Sequence, residues 1–219
     1  MLNSMGANIT GAGSNSITIK GVKKLHDCNF KVIPDRIEAG TYLLMALATN
    51  GEILLKDVIP EHIESLIHKI KRMNCKVLIT SDTIYAKSPK FIKAIDMKTM
   101  PYPGFPTDLQ SQYVTLMSIA RGTSIVVENI FENRYKYVNE LVRMGANITL
   151  EGKTAIIQGV NKLNPAVLEA KDLRGGAALI EAALIAEGRS EIIGVNYIER
   201  GYEDIIYKLT NIGAKISLG

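Results

Sequence analysis

Three stretches of the chain carry the same apolar rhythm. Ile63, Leu66, Ile67 and Ile70 fall at i, i+3, i+4 and i+7, the stripe of a helix buried along one side. Val138, Leu141 and Val142 keep that stripe, as do Ile205, Ile206, Leu209 and Ile212. Charged residues such as Lys69, Lys71, Arg72 and Lys208 take the opposite face. A second helix type, at residues 40–49, 109–120 and 176–186, is rich in Ala and Leu on nearly every face, which predicts burial all round. Gly51, Gly122 and Gly188 follow these helices, where a left-handed stop suits glycine best. Period-two alternation marks strands at 16–22, 83–86 and 155–160, and further strands at 52–58, 124–130 and 191–195. A last set, 30–35, 94–98 and 166–172, runs into a turn ahead of each buried helix.

The order of these elements repeats. Met5-Gly6-Ala7-Asn8-Ile9, Met73-Asn74-Cys75-Lys76-Val77, Met144-Gly145-Ala146-Asn147-Ile148 and Ile212-Gly213-Ala214-Lys215-Ile216 each close a helix. They recur roughly every seventy residues, so one structural unit is used several times. The unit reads βαβαββ, with copies at about 26–75, 76–146 and 147–219 and a spare strand pair in residues 1–25. Buried helices inside and sheets outside make an α/β (α+β) domain with three-fold pseudo-symmetry. The chain opens on the last turn of a helix too short to nucleate alone, so it is expected to be part of something longer.

Composition narrows the function classes. Hydrophobic residues make up 47% of the 219, enough for a full core. The net charge of +4, from 26 basic and 22 acidic residues, is too mild and diffuse for a nucleic-acid footprint but suits a small anionic ligand. Cys28 and Cys75 make no disulfide framework and fit a reducing, cytoplasmic compartment; Cys75 stands in the small-residue slot of the repeat. The longest apolar run, 177–186, is short for a membrane span and is interrupted by Glu181. His26, His62 and His68 have no metal-ligand spacing, and Gly11-Ala12-Gly13 reads as a hairpin turn.

Chemistry is expected where the repeats diverge. Counting back equally from Gly51, Gly122 and Gly188 aligns Asp35-Arg36-Ile37-Glu38, Pro106-Thr107-Asp108-Leu109 and Asp172-Leu173-Arg174-Gly175, the loops leading into the buried helices. Helix-start N–H groups beside arginine favour a phosphate or carboxylate. The loops into the amphipathic helices differ too, reading Ile59-Pro60-Glu61-His62, Phe131-Glu132-Asn133-Arg134-Tyr135 and Ile198-Glu199-Arg200-Gly201-Tyr202.

Four motifs in register then carry a resemblance over essentially the whole chain. Pro103-Gly104-Phe105-Pro106-Thr107-Asp108-Leu109-Gln110, Phe131-Glu132-Asn133-Arg134, Asp172-Leu173-Arg174 and Ile198-Glu199-Arg200-Gly201-Tyr202-Glu203 resemble the C-terminal half of the UDP-N-acetylglucosamine 1-carboxyvinyltransferases, and residues 34–41 agree. The resemblance implies an inside-out α/β barrel of three βαβαββ repeats, of the enolpyruvyl transferase type. Residues 1–25 would be the tail of a preceding domain and 26–219 the second one. It implies transfer of the enolpyruvyl group of phosphoenolpyruvate to the 3′-hydroxyl of UDP-N-acetylglucosamine, the first committed step of peptidoglycan synthesis. Asp108 resembles the carboxylate that meets the 3′-hydroxyl and takes its proton. Ile130 matches a backbone contact to the nucleotide sugar. Arg134, Arg174 and Arg200 match arginines that converge on the anionic groups of phosphoenolpyruvate, where a planar fork suits the ligand. Asp172 resembles a second carboxylate near the reacting methylene, and Leu173 beside it is structural. Catalysis would fall to Asp108, Asp172 and Arg200. No cofactor or metal is implied, nor any nucleic-acid or membrane partner.

Family motifs near the N-terminus, including a Lys-Asn pair and a loop cysteine, have no counterpart here, and neither Cys28 nor Cys75 fills that role. The chain alone is therefore expected to be inactive without a missing N-terminal half. Residues 6–25 are expected to fold onto the open edge of the domain. Two other readings stand beside this one: a shikimate-pathway enolpyruvyl transferase of the same fold, and a non-enzymatic ligand- or RNA-binding barrel of similar units.

Overall fold

The computed structural model describes residues 1–14 and 16–219. The chain divides into two units, Met1–Pro34 and Asp35–Gly219. In the first unit, a 3-10 turn at Leu2–Met5 precedes β1 (Asn8–Thr10) and β2 (Thr18–Lys20). These pair antiparallel with Ile9 opposite Ile19, as a two-stranded sheet. Gly11 and Gly13 take positive φ in the connecting turn, as expected for a hairpin. The side chain of Asn3 clamps β1 by bonding both backbone groups of Ile9, at 2.7 and 2.9 Å. Residues 30–35 are not the expected strand. Among the described residues no strand pairs with them, and Val32 and Ile33 are exposed; β-branched composition without a partner does not hold a strand.

The second unit runs α1 (Arg36–Ala48), β3 (Glu52–Leu55), α2 (Glu64–Arg72), β4 (Lys76–Ile79), β5 (Ile84–Lys87), β6 (Met97–Lys98), α3 (Gln110–Met117) and β7 (Thr123–Val127). It continues with α4 (Val138–Arg143), β8 (Asn147–Glu151), β9 (Thr154–Gln158), β10 (Val167–Glu169), α5 (Leu173–Ile185), β11 (Glu191–Ile193), α6 (Val195–Glu199) and α7 (Ile205–Asn211). The helix α6 was not expected.

Sheet pairing places the copy boundaries after β5 and after β9 rather than at 75/76 and 146/147, and the middle copy is then complete, its sheet ordered β6-β7-β9-β8 with β6 parallel to β7 and the rest antiparallel. The first copy has β3-β5-β4, with no leading parallel strand among the described residues. The third has the parallel pair β10-β11, lacking the closing hairpin.

Helices α1, α3 and α5 pack against one another, and Leu43, Leu44, Leu47, Leu116, Met117 and Ala178 are fully buried among them. Truncating one of these leucines costs about 2–5 kcal/mol. Gly40 allows the close approach, since a Cβ there would lie 2.5 Å from Leu109. Strands β3 and β7 alternate buried or half-buried positions with exposed ones, and β5 and β9 alternate buried positions with half-buried ones, so sheets lie outside and helices inside. The helical interior is not wholly apolar. Gln112 Nε2 donates to Thr41 Oγ1 at 2.9 Å and to Tyr202 Oη at 3.0 Å, while the single proton of Ser111 Oγ is shared between the Gln112 amide oxygen and the Arg174 carbonyl, each at 2.9 Å.

The repeated phrase has one mechanical meaning. Gly6, Asn74, Gly145 and Gly213 all take positive φ. The next N–H reaches back five residues each time: Ala7 to Leu2, Cys75 to Ile70, Ala146 to Leu141 and Ala214 to Leu209. This is the Schellman pattern, which satisfies carbonyls left over at a helix end. The end of α1 uses it as well, with a correction to the sequence reading. There Asn50, with φ 56°, takes the left-handed position, and Gly51 follows as the residue whose N–H reaches back to Ala46. Gly122 and Gly188 do have positive φ, but they lie beyond the immediate helix stop. The stripes are corrected at their ends, where Val142 and Ile212 are exposed because the helices stop there.

Candidate functional site

The three helix-start loops are built differently. Asp35 caps α1, its Oδ1 accepting from the N–H groups of Ile37 and Glu38 at 2.7 and 3.2 Å. Asp172 caps α5 in the same way, from Arg174 and Gly175 at 3.1 and 2.8 Å. The middle loop has Pro106 at that position, followed by a 3-10 turn at Thr107–Leu109 that leads into α3. Asp108 stands inside this turn, and its carboxylate faces side chains rather than backbone.

Two arginines meet there. Arg134 Nη2 lies 2.7 Å from Asp108 Oδ1, and Arg174 Nη2 lies 3.1 Å from Asp108 Oδ2. Arg134 comes from the loop before α4 in the same repeat, Arg174 from the first turn of α5 in the next. Both guanidinium groups are largely buried, with side chains 10% and 14% exposed, while Asp108 is 38% exposed. One carboxylate between two guanidinium groups leaves an excess positive charge, held where water screens it weakly. Arg174 Nη1 is buried and has no protein hydrogen-bond partner. Burial pulls the pKa of Arg174 down, but the neighbouring Tyr202 and Asp108 outweigh that, leaving it above its ordinary value. Aromatic rings back both arginines: Arg134 lies 4.5 Å over Phe131 and Arg174 5.4 Å over Tyr202.

Beside Asp108 opens a cleft of about 190 Å³, lined by Arg36, Met100, Tyr102, Thr107, Asp108 and Ile130, among others. Arg36 lies 5.3 Å over the Tyr102 ring, which His62 meets edge-on. Ile130 lines this cleft, but its N–H is donated to Glu128 Oε1 at 2.8 Å, so a backbone contact to a ligand would use its carbonyl.

The structure thus brings Asp108, Arg134 and Arg174 together with Ile130 nearby. Asp172 lies on the same loop as Arg174 with one oxygen committed to the helix cap. Arg200 is exposed and joins no ion pair among the described residues, although the next residue, Gly201, packs against Leu173. Sequence reasoning pointed to the loop of Arg36 without giving that residue a role, and it missed Tyr102 in the cleft wall. It also missed Glu128, a buried carboxylate whose sequence signal was slight: an acidic residue directly after an alternating strand. Among the described residues no group of His, Cys, Asp and Glu is placed to hold a metal ion.

Comparison with known proteins fits this geometry. The sequence pattern of the family described as EPSP synthase (3-phosphoshikimate 1-carboxyvinyltransferase) matches residues 1–209. A UDP-N-acetylglucosamine 1-carboxyvinyltransferase of Desulfofundulus thermocisternus is 50% identical over 216 residues, covering 98% of this chain and 89% of the relative. The chain belongs to the UDP-N-acetylglucosamine 1-carboxyvinyltransferase family, within that wider group. UDP-N-acetylglucosamine 1-carboxyvinyltransferase 2 of Caldanaerobacter subterraneus subsp. tengcongensis is 55% identical over 216 residues, 98% of this chain but 52% of its own length. The chain spans about half the length of most curated relatives of this family that it matches. Among solved structures, the enolpyruvyl transferase NikO from Streptomyces tendae aligns with a TM-score of 0.87 at 24% identity, over 98% of this chain and 52% of that one. EPSP synthase from Acinetobacter baumannii aligns at 0.78 and 20% identity, over 100% and 54%. These two likenesses establish the enolpyruvyl transferase fold.

Proposed function

We propose that this chain forms one wall of an enzyme that moves the enolpyruvyl group from phosphoenolpyruvate to the 3′-hydroxyl of UDP-N-acetylglucosamine. The carrying observation is the carboxylate of Asp108 held between Arg134 and Arg174 at the mouth of a cleft, with Arg174 Nη1 buried and unpartnered. In this reading the sugar lies against Asp108 and the Ile130 carbonyl, and the 3′-hydroxyl gives its proton as its oxygen bonds to C2 of phosphoenolpyruvate. A proton adds to C3, giving a tetrahedral intermediate. Loss of a C3 proton and of phosphate then restores the enol ether. Arg134, Arg174 and Arg200 face the carboxylate and phosphate, and preorganised guanidinium groups stabilise the charge that develops. Arg200 would have to swing in on ligand binding. Asp172, through its free oxygen, would shuttle the C3 proton.

The remaining wall is assigned to the half that the longer relatives carry in addition, with residues 1–25 as the tail of its domain. No cofactor is required, and neither nucleic acid nor a membrane is a partner. Such an enzyme works in the cytoplasm at the start of peptidoglycan synthesis, so cell-wall growth, shape and division depend on it. Calorimetric titration with UDP-N-acetylglucosamine and, separately, shikimate 3-phosphate tests the substrate class, with weak binding of the first expected. Phosphate release is expected only when the other half is supplied. Preference for shikimate 3-phosphate, or turnover by this chain alone, would overturn the proposal.

A further inference from the structure

We propose that Glu128 is a positioning residue, which through Thr107 sets the orientation of the Arg134 guanidinium toward Asp108. Glu128 follows β7, is 1% exposed, makes no hydrogen bond to Asp108 and does not itself line the cleft. A buried carboxylate without donors is costly, yet this one accepts four hydrogen bonds. They come from Thr99 Oγ1 at 2.8 Å, Thr107 Oγ1 at 2.9 Å, Ile130 N at 2.8 Å and Phe131 N at 2.9 Å. Thr99 in turn accepts from Asn129 N at 2.8 Å, so the loop 128–131 is wound tightly around two buried polar groups.

The polarity of the chain is forced by chemistry. A hydroxyl has one proton, and that of Thr107 goes to Glu128, which can only accept. The Thr107 oxygen is therefore left as an acceptor, and Arg134 Nε, which can only donate, meets it at 3.2 Å. The same guanidinium meets Asp108 through Nη2 at 2.7 Å. Arg134 thus grips two consecutive residues, Thr107 and Asp108, and its plane is fixed by a carboxylate two bonds away. Glu128 also holds the Ile130 backbone, so one buried group sets both sides of the cleft mouth. Reading this as tuning of a catalytic site rests on the proposed function, but the orientation itself does not.

Side-chain NMR of the arginine Nε–H groups in this chain, without ligand, tests the relay. A hydrogen-bonded Arg134 Nε–H gives a resolved, slowly exchanging signal. Thr107→Val and Glu128→Gln are expected to broaden or shift it while the folded far-UV spectrum persists, and Thr107→Ser is expected to restore it. In the protein joined to the other half, Thr107→Val should lower kcat/KM on the order of 10- to 100-fold, mainly through kcat, with Thr107→Ser recovering most of it. A signal that persists in Thr107→Val, or a Thr107→Ser variant that fails to restore it, overturns the proposal. Should Glu128→Gln not fold, the Thr107 pair decides, since it leaves the buried carboxylate in place. Failure of the unmodified chain to bind UDP-N-acetylglucosamine would sink the proposed function and leave the NMR test standing.

Discussion

The loops before α1 and α5 use their leading aspartate for the same task, and the loop before α3 does not. Asp35 and Asp172 accept backbone N–H groups and start a helix. Where they stand, the middle repeat has Pro106, whose fixed φ suits a helix start without a side-chain cap. Its carboxylate appears two residues later, at Asp108, in the slot that the next repeat fills with Arg174. Equivalent slots of neighbouring repeats therefore meet as an ion pair across the pseudo-symmetry axis. The lesson is that symmetry supplies the scaffold, and a two-residue displacement of charge within one copy frees a carboxylate for chemistry.

Breaking the middle loop should have the largest effect. Asp108→Asn is expected to lower turnover in the protein joined to its other half by at least ~100-fold, the scale of a lost general base. Thermal unfolding of this chain should shift only downward, because Asn leaves Arg134 and Arg174 without their shared counter-charge; an unchanged turnover with that lowered Tm would mean that Asp108 is a structural residue like its counterparts. The helices that follow the loops sharpen the contrast. Ser111, Gln112 and Thr115 of α3 and Ser118 just after it are buried but bonded, with Gln110 Nε2 the unpartnered atom of that helix, whereas both oxygens of the acidic side chain of Glu181 in α5 are buried without a partner. Burial pushes the Glu181 carboxyl well above its ordinary 4.5. A raised folded-state value means that this group's contribution to stability is complete below the unfolded value and falls as pH rises. Glu181→Leu is therefore expected to stabilise the chain by roughly 1–3 kcal/mol near neutrality, read by chemical denaturation, with the gain shrinking toward pH 4.5. A gain that grows on acidification would contradict the assignment.

Smaller still, Asp35→Ala and Asp172→Ala should each cost about 1 kcal/mol through the lost cap, seen as lower denaturation midpoints. For Asp172 an additional loss of turnover, beyond that of Asp35→Ala, would show that its second oxygen serves the reaction; equal losses would leave it a cap alone. The smallest effect concerns Cys75, which stands where the other three copies of the repeated stop have alanine. Burial pushes its thiol up to about 11, so at about pH 8 a maleimide should label Cys28 and spare Cys75. Rapid labelling of both would mean that the stop at Asn74 opens readily.

Much of this was legible beforehand. The repeated stop was visible because positive φ selects glycine or asparagine, which leaves a mark in a single sequence. The buried helices showed through their small apolar composition, and the equal count back from three glycines landed on the capping aspartates of α1 and α5 and on the proline that opens the 3-10 turn before α3. The strand at 30–35 was misread because pairing depends on a neighbour that local sequence does not reveal. Glu128 was invisible for a related reason: its function comes from Thr99 and Thr107, distant in sequence, and alternation breaks there by a single residue. The partnership of Arg174 with Asp108 spans two repeats, and only folding places those slots side by side.

The Gln112 amide, bridging Thr41 and Tyr202, works as a key in a slot. Slipping α3 by one residue would turn it roughly 100° and carry that amide away from both hydroxyls. The angular setting of the three inner helices is thereby locked, and the corners at Asp35, Asp108 and Asp172 are carried on one stiff frame. Any clenching around a bound anion then has to travel as a displacement of the whole frame or of the loops upon it. Amide hydrogen exchange along α1, α3 and α5 should accordingly stay slow and unchanged on ligand addition.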